Sequence, residues 1–396
     1  MLANAKTENP PIYLDHHATT PVHREVLEAM LPYFAQNFGN PSSATHVYGT
    51  AAREATDWAR HKVAELIGAE SADEIIFTSG ATESDNLALK GIAYRYRDKG
   101  RHIITCTIEH KAVLQTCKAL EVEGFRVSFL PVDRYGLVDP DDVKRAISKE
   151  TILITIQYAN SEVGTIQPLD AIGQLARQNN IAFHTDAVQA VGKVPTDVRE
   201  LNVDLLSLSG HKMYGPKGIG ALYIRKHLDL VPELVGGSQE KGYRAGTLNV
   251  PGIVGLGKAC EIGRRHLQHE AEHLSTLRDR LAEGIFKQVE LVYLNGHPVK
   301  RLPHNLNLSF EYVDSESLIE SMPEIAVSSG SACTSQSSEP SYVLLALGVP
   351  RTLALSTIRF GLGRCNTAEQ IEYVIQLIAS NVERLRNLSP LYTGSG

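Results

Sequence analysis

The sequence predicts an α/β fold. A large domain carries a mainly parallel seven-stranded sheet flanked by helices, and a smaller α+β domain follows it. Three observations predict this. Short apolar runs alternate with segments of helical period between residues 74 and 224, the order that winds a parallel sheet. Several of those runs are apolar on both faces, as strands covered by helices on each side are. From about residue 263 the character changes to a long charged helix, two strand-like pieces and a final helix. The domains read from this are 20–262 for the large one, and 1–19 with 263–396 for the small one.

In chain order, the Ile-Ile-Phe run at 74–78 reads as a strand and 82–96 as a helix. Strands follow at 102–107, 125–132, 151–158, 181–185, 203–208 and 219–224. Helices fall between them at 111–123, 140–148 and 169–178. The later part reads as a helix at 264–288, strands near 289–294 and 305–310, and a helix from about 368 to 385.

Composition excludes several classes. Of 396 residues, 43% are hydrophobic and 21% charged, so disorder and collagen-like structure are not expected. Lys+Arg 39 against Asp+Glu 45 gives a net charge of −6, which leaves no basic footprint for nucleic acid. No apolar run reaches about 18 residues, so no membrane-spanning helix is expected. Residues 1–11 lack the apolar core of a secretory signal. The five cysteines are scattered and form no C-x-x-C pair. A reducing cytoplasm is the expected setting.

Five stretches carry candidate chemistry. Ser79-Gly80-Ala81-Thr82-Glu83 follows a strand and opens a helix. That position offers backbone N–H groups and the positive end of the helix dipole to an anion or phosphate; an ordinary helix cap is the alternative. Ser207-Leu208-Ser209-Gly210-His211-Lys212 follows another strand. A lysine there can be desolvated and activated as a nucleophile, or can simply be solvated. Asp186 closes the run Ile181-Ala182-Phe183-His184-Thr185, where open α/β sheets place ligand contacts. It can pair with a protonated ring nitrogen or cap the next helix. Residues 328–341 contain seven serines around Cys333, a polar surface loop that makes a thiol accessible. Cys106, Cys117 and Cys260 lie in apolar periodic segments and read as packing residues; Cys365 is ambiguous. Arg359, in Thr357-Ile358-Arg359-Phe360-Gly361, suits a carboxylate by its planar fork or a structural ion pair.

A sixth match is set aside. His269-Glu270-Ala271-Glu272-His273 fits H-E-x-x-H, with His266 nearby. The flanking Arg264, Arg265, Arg278 and Arg280 mark a solvated helix, so no metal site is expected there.

Taken together and in this order, the motifs resemble the NifS/IscS-type cysteine desulfurases, pyridoxal-phosphate enzymes of fold type I in the class V aminotransferase group. The resemblance runs from Tyr13-Leu14-Asp15-His16-His17-Ala18-Thr19-Thr20 to Arg359-Phe360-Gly361-Leu362-Gly363-Arg364. It implies pyridoxal 5'-phosphate as cofactor, with Lys212 as the Schiff-base lysine and the base at Cα. It implies His110 stacked on the pyridine ring, Asp186 on the ring nitrogen, Gln189 on the phenolic oxygen and Asn160 beside cofactor and substrate. Ala81, Thr82, Ser209 and His211 are implied at the phosphate, and Thr247 at the phosphate of the neighbouring subunit of a homodimer. Arg359, with Asn40, is implied at the substrate carboxylate.

Cys333 is implied as the nucleophile that takes sulfur from L-cysteine, releases alanine and passes the sulfur to acceptor or iron–sulfur scaffold proteins. A transient iron–sulfur ligand is a further role for it. The long serine-rich loop resembles that of members with an extended cysteine loop. Selenocysteine lyase and cystine lyase share the scaffold and are the enzymatic alternatives. A non-catalytic sulfur relay is a different class, against which Lys212 and Cys333 both speak.

Overall fold

The computed structural model describes residues 10–329, 339–390 and 392. The chain opens with β1 (Ile12–Tyr13), α1 (Arg24–Met30), α2 (Pro32–Ala35) and α3 (Val47–Ile67). Next come β2 (Ile75–Thr78), α4 (Ala81–Tyr96), β3 (His102–Cys106), α5 (Lys111–Val122), β4 (Arg126–Leu130) and α6 (Pro140–Ala146). Then follow β5 (Thr151–Thr155), α7 (Leu169–Gln178), β6 (Ala182–Asp186), β7 (Leu205–Ser209), β8 (Gly220–Ile224) and α8 (Val250–Gln288). The remainder is β9 (Val292–Leu294), β10 (Asn305–Phe310), α9 (Ser315–Glu320), β11 (Ile325–Ala326), α10 (Tyr342–Ala346), α11 (Arg351–Ala354), β12 (Thr357–Gly361) and α12 (Ala368–Leu388).

The chain divides into two units. One comprises Thr19–Ser161 and Thr165–Gln268; the other comprises Met1–Ala18, Glu162–Gly164 and His269–Gly396. The division therefore falls at 268/269, inside α8, rather than at 262/263. The excursion at 162–164 has a hydrogen-bonding cause. Asn305 and Asn307 donate their side-chain amides to the Glu162 carbonyl at 3.0 and 3.1 Å. The Leu302 N–H donates to the Gly164 carbonyl at 2.9 Å.

The larger unit holds a seven-stranded sheet in the order β2-β8-β7-β6-β5-β3-β4. Its β3, β4, β5, β6 and β7 run parallel, and β8 is antiparallel to both its neighbours. The strands are apolar because helices cover them. Ile76, Ile103, Leu153, Leu205 and Leu222 pack with Leu87, Ile92, Val113 and Leu120 of α4 and α5 in one buried cluster. In α7, Leu169, Ile172, Gly173 and Ala176 are buried, the spacing of one helical face.

The helix expected from residue 264 begins fourteen residues earlier, at Val250. The glycines within 252–257 serve close packing. A Cβ on Gly255 would meet Met30 Sδ at 2.6 Å, and one on Gly257 would meet Ala59 Cα at 2.6 Å. The expected strand 151–158 ends at Thr155, yet Ile156 and Tyr158 still donate to the carbonyls of His184 and Asp186. The chain keeps to the β6 edge after the regular ladder stops.

The smaller unit has a three-stranded antiparallel sheet, β12-β10-β9, and the parallel pair β1-β11. Leu308, Phe310, Ile358 and Phe360 of that sheet pack with Leu281, Ile285, Ile375 and Ile378 from α8 and α12. The α12 helix opens on a capping box formed by Thr367 and Gln370. No helix among the described residues is long and apolar enough to cross a membrane.

Candidate active site

The candidate residues of the larger unit collect at the carboxyl edge of its parallel strands, where doubly wound sheets bind ligands. β6 ends on Asp186, β7 ends on Ser209 and β2 leads into the Ser79-Gly80 turn. Asn160 and His110 follow β5 and β3.

The phosphate-type turn is built by missing side chains. Gly80 has φ 152° and precedes α4 with no side-chain cap, so the first N–H groups of that helix lack a capping side chain. Gly220 pairs with Thr78 on one side and Ser209 on the other. A Cβ on Gly220 would come within 2.8 Å of Gly80 Cα. Only glycine there lets the turn fold over β8 toward Ser209. Ala81 is half-buried, Thr82 exposed and Ser209 buried. A Cβ on Gly80 would meet nothing within 4 Å, so open space lies beside the turn.

Glu83 locks this turn. One of its carboxylate oxygens accepts from the Ser79 N–H at 2.8 Å, and the other from Arg244 Nε at 2.9 Å. Burial works to raise its pKa, but the Arg244 and Ser79 hydrogen bonds outweigh that and hold it below the usual value. A cavity of about 240 Å³ adjoins the turn, lined by Ser79, Gly218, Arg244, Thr247 and Asn249 among others. Thr247 itself is exposed.

Lys212 ends a 3₁₀ turn, Gly210–Lys212, and is half-buried. The neighbouring His211 donates or accepts at Nδ1 with Thr19 Oγ1, 3.1 Å away. Its pKa is lowered to about 4, by burial first and then by the Lys212 and Lys217 charges, so the imidazole is neutral. Asp186 is 8% exposed and accepts from the Val188 N–H at 3.0 Å. Burial raises its pKa; His110, the Val188 N–H and Lys212 pull the other way. A carboxylate oxygen of Asp186 and a ring nitrogen of His110 lie within 4.8 Å of each other. Gln189 is half-buried in the turn after Asp186.

His110 caps α5: its Nδ1 accepts from the Ala112 N–H at 3.1 Å. Its ring is exposed, held by a buried frame the sequence reading missed. The Ile108 carbonyl accepts from Gln157 Nε2 at 2.8 Å and from Asn160 Nδ2 at 3.1 Å. Glu109 accepts from the Gln157 N–H at 2.7 Å and from the Cys106 thiol at 3.1 Å. Burial pushes the Glu109 carboxyl up to about 8.

Asp85 and His184 were missed as well. Both are fully buried, with Asp85 Oδ1 3.6 Å from His184 Nε2. A charged residue inside an otherwise amphipathic helix gives no sequence signal of burial.

These features fit pyridoxal phosphate. A buried carboxyl is available for a ring nitrogen, an imidazole lies beside it, the Lys212 amine is near enough to act on the Asp186 charge, and an uncapped helix start faces open space. Asn40 is exposed, with Oδ1 accepting from the Ser42 N–H at 2.9 Å.

In the smaller unit, Arg359 is buried on β12 and its Nη2 donates to Asp15 Oδ1 at 2.8 Å. Its backbone bridges to Ser328, whose carbonyl accepts the Arg359 N–H at 2.7 Å. Ser328 is the first residue of the serine-rich stretch. At the far end Ser341 caps α10 and donates its hydroxyl to the Glu162 carboxylate. Cys333 lies outside the described residues. Cys106, Cys117 and Cys260 are buried and Cys365 is exposed; burial pushes the Cys117 thiol up to about 12.

The H-E-x-x-H helix turns Glu270 inward, where it accepts from Arg364 at 2.7 Å, and leaves His269, His273 and His266 exposed. Among the described residues, the grouping of His, Cys and carboxylates tight enough for a metal is Asp85, His110 and Asp186, away from that helix.

Comparison with known proteins decides the family. The aminotransferase class-V model matches residues 12–374. The cysteine desulfurase IscS of Methanosarcina thermophila is 55% identical over 390 residues, covering 98% of this chain and 96% of the relative. The chain belongs to the cysteine desulfurase family. Solved structures agree with this in fold. A NifS-like protein superposes with a TM-score of 0.88 at 39% identity, over 94% of this chain and 100% of its own. SspA in complex with cysteine gives 0.80 at 42% identity, over 89% and 98%.

Proposed function

We propose that this chain is a pyridoxal-phosphate-dependent cysteine desulfurase that converts L-cysteine to L-alanine and leaves the sulfur on Cys333 as a persulfide. The observation that carries this is the grouping of Asp186, His110 and Lys212 at one sheet edge, in a chain alike over its full length to relatives named for that activity.

When bound, the cofactor supplies an electron sink for the pair left at the substrate Cα. Asp186 would hold the proton at the ring nitrogen, and Gln189 would donate to the phenolic oxygen. His110 and Asn160 would contact the ring. Ala81, Thr82, Ser209 and the neutral His211 would hold the phosphate, with Thr247 at the phosphate of a neighbouring subunit. Lys212 takes the Cα proton and returns it. Arg359, with Asn40, orients the substrate carboxylate.

The Cys333 thiolate attacks the substrate sulfur. The new S–S bond forms as Cβ–S breaks, and the released electron pair stays on carbon, which takes a proton to become alanine. The persulfide then serves sulfur acceptors or iron–sulfur scaffold proteins in the cytoplasm. Leu31, Phe34, Phe38, Val47 and Tyr48 are exposed on the cofactor-binding unit, and burying them in a homodimer accounts for so apolar a surface.

The test is alanine and sulfide formation from L-cysteine by the parent chain and Cys333→Ala. Alanine formation is expected to fall by roughly 10²-fold, with loss of persulfide labelling. A variant that makes alanine as fast as the parent would overturn the persulfide step and leave a lyase that releases sulfur without a persulfide; relative rates on L-selenocysteine, L-cystine and L-cysteine separate the lyases on this scaffold.

The Glu83 lock gives a smaller expectation. Glu83→Gln keeps an acceptor but loses the charge that binds Arg244 and Ser79. Cofactor affinity is expected to weaken roughly 5- to 30-fold, equivalent to about 1–2 kcal/mol, measured by fluorescence titration of pyridoxal phosphate.

A further inference from the structure

Behind Asp186 lies a second carboxyl group to which the reaction proposed above gives no work. Asp85 sits in the first turns of α4 and is 0% exposed. One of its oxygens lies within 4.8 Å of an Asp186 carboxylate oxygen and of a His110 ring nitrogen. Two carboxylates this close in a buried site do not both ionise readily; such a pair shares a proton.

The surroundings decide which member keeps it. Asp186 faces the positive groups, His110 and Lys212, and accepts from the Val188 N–H. Asp85 faces His184, Ser207, Asp186, Glu109 and the same His110 ring. His184 brings no charge. Burial lowers its pKa to about 3, and its two ring nitrogens are engaged by Thr155 Oγ1 at 2.8 Å and Ser207 Oγ at 3.0 Å. Glu109 is itself a buried acid. Beyond the His110 ring, which lies within 4.8 Å of both carboxyls, the favourable partners Lys212 and the Val188 N–H bear on Asp186 and not on Asp85. Burial and then the Asp186 charge raise its pKa well above the ordinary value, against a smaller lowering by Ser207.

We propose that Asp85 is a positioning residue for Asp186: held as a neutral carboxylic acid, it keeps the pair singly charged, with that charge on Asp186 toward the cofactor ring nitrogen. The role toward the ring nitrogen rests on the function proposed above; the protonation state of Asp85 does not. The proton stays on Asp85 throughout, and the ring-nitrogen proton is a separate one.

The sign for stability follows. The folded chain holds a proton on Asp85 that the unfolded chain releases near pH 4, so wild-type stability declines as pH rises above about 4. Asp85→Asn mimics the neutral acid and removes that decline.

The experiment uses the full-length chain with and without pyridoxal phosphate. The infrared band of a buried protonated carboxyl is followed at neutral pH in wild type and Asp85→Asn, alongside melting temperature against pH. We expect the band to be weaker in Asp85→Asn than in wild type, with the share of buried Glu109 remaining, and a steeper fall of melting temperature with pH in wild type.

Asp186→Asn is the second variant and decides the matter if Asp85→Asn does not fold. Removing the neighbouring charge is expected to move the pH at which the band disappears down by about one unit or more. A band undiminished in Asp85→Asn, parallel melting profiles, or an unmoved midpoint in Asp186→Asn would each overturn the proposal. If these signatures appear in a chain that makes no alanine from L-cysteine, Asp85 stands and the desulfurase reading fails.

Discussion

Lys212→Ala is expected to lower alanine formation from L-cysteine by about 10⁴-fold, the upper range for loss of a positioned acid–base group. The fold is expected to survive. The turn that carries Lys212 is held by its backbone: Met213 N–H and Gly215 N–H both donate to the Gly210 carbonyl. The Tyr214 N–H donates to Thr20 Oγ1 at 2.8 Å, and the His211 carbonyl accepts from both the N–H and the hydroxyl of Thr20. None of these bonds uses the lysine side chain, and a half-buried chain leaves little cavity when shortened. Circular dichroism like the wild type's, together with near-complete loss of turnover, is the expected pair. Added primary amines are expected to restore part of the rate, since they replace the missing base. Turnover within tenfold of wild type would remove Lys212 from its assigned role.

Asp186→Asn is expected to cost about 10³-fold in turnover, on the scale of losing a preorganised charge. Asparagine preserves the shape, and its Oδ1 still accepts from the Val188 N–H. What changes is the group presented to the cofactor: an amide N–H donor in place of an anion. A ring nitrogen facing a donor stays unprotonated and the electron sink weakens. The check is kcat for L-cysteine with cofactor content measured in the same sample. A loss of kcat with the cofactor retained is the expected pattern, whereas unchanged kcat at full occupancy would contradict the ring-nitrogen assignment.

Much of this site was legible because its parts are local. A glycine-bearing turn after an apolar strand, an aspartate closing another strand and a lysine just beyond a third are chemistry written in consecutive residues. The helices expected at 169–178 and from 368 match α7 and the start of α12, since period and capping chemistry sit in the same few residues. What escaped depends on distant partners. Gly255 and Gly257 look like helix breakers until Met30 and Ala59 are brought against them. Asp85, Glu109 and His184 resemble surface residues until folding removes their water. The larger unit's excursion at 162–164 depends on asparagines more than a hundred residues further along.

The parallel pairing of β1 with β11 bears on biosynthesis. Ile12 takes its backbone partner from the neighbourhood of Ile325, and Asp15 finds Arg359 later still. At roughly 5–20 residues per second, a ribosome needs on the order of 15–60 s to make the stretch between the two strands. Throughout that interval the nascent chain carries a strand with no edge to join. The seven-stranded sheet is complete in sequence by Ile224. A chain arrested after about residue 270 would therefore already contain every strand that frames Asp186, His110 and Lys212, while its leading strand still waited for a mate.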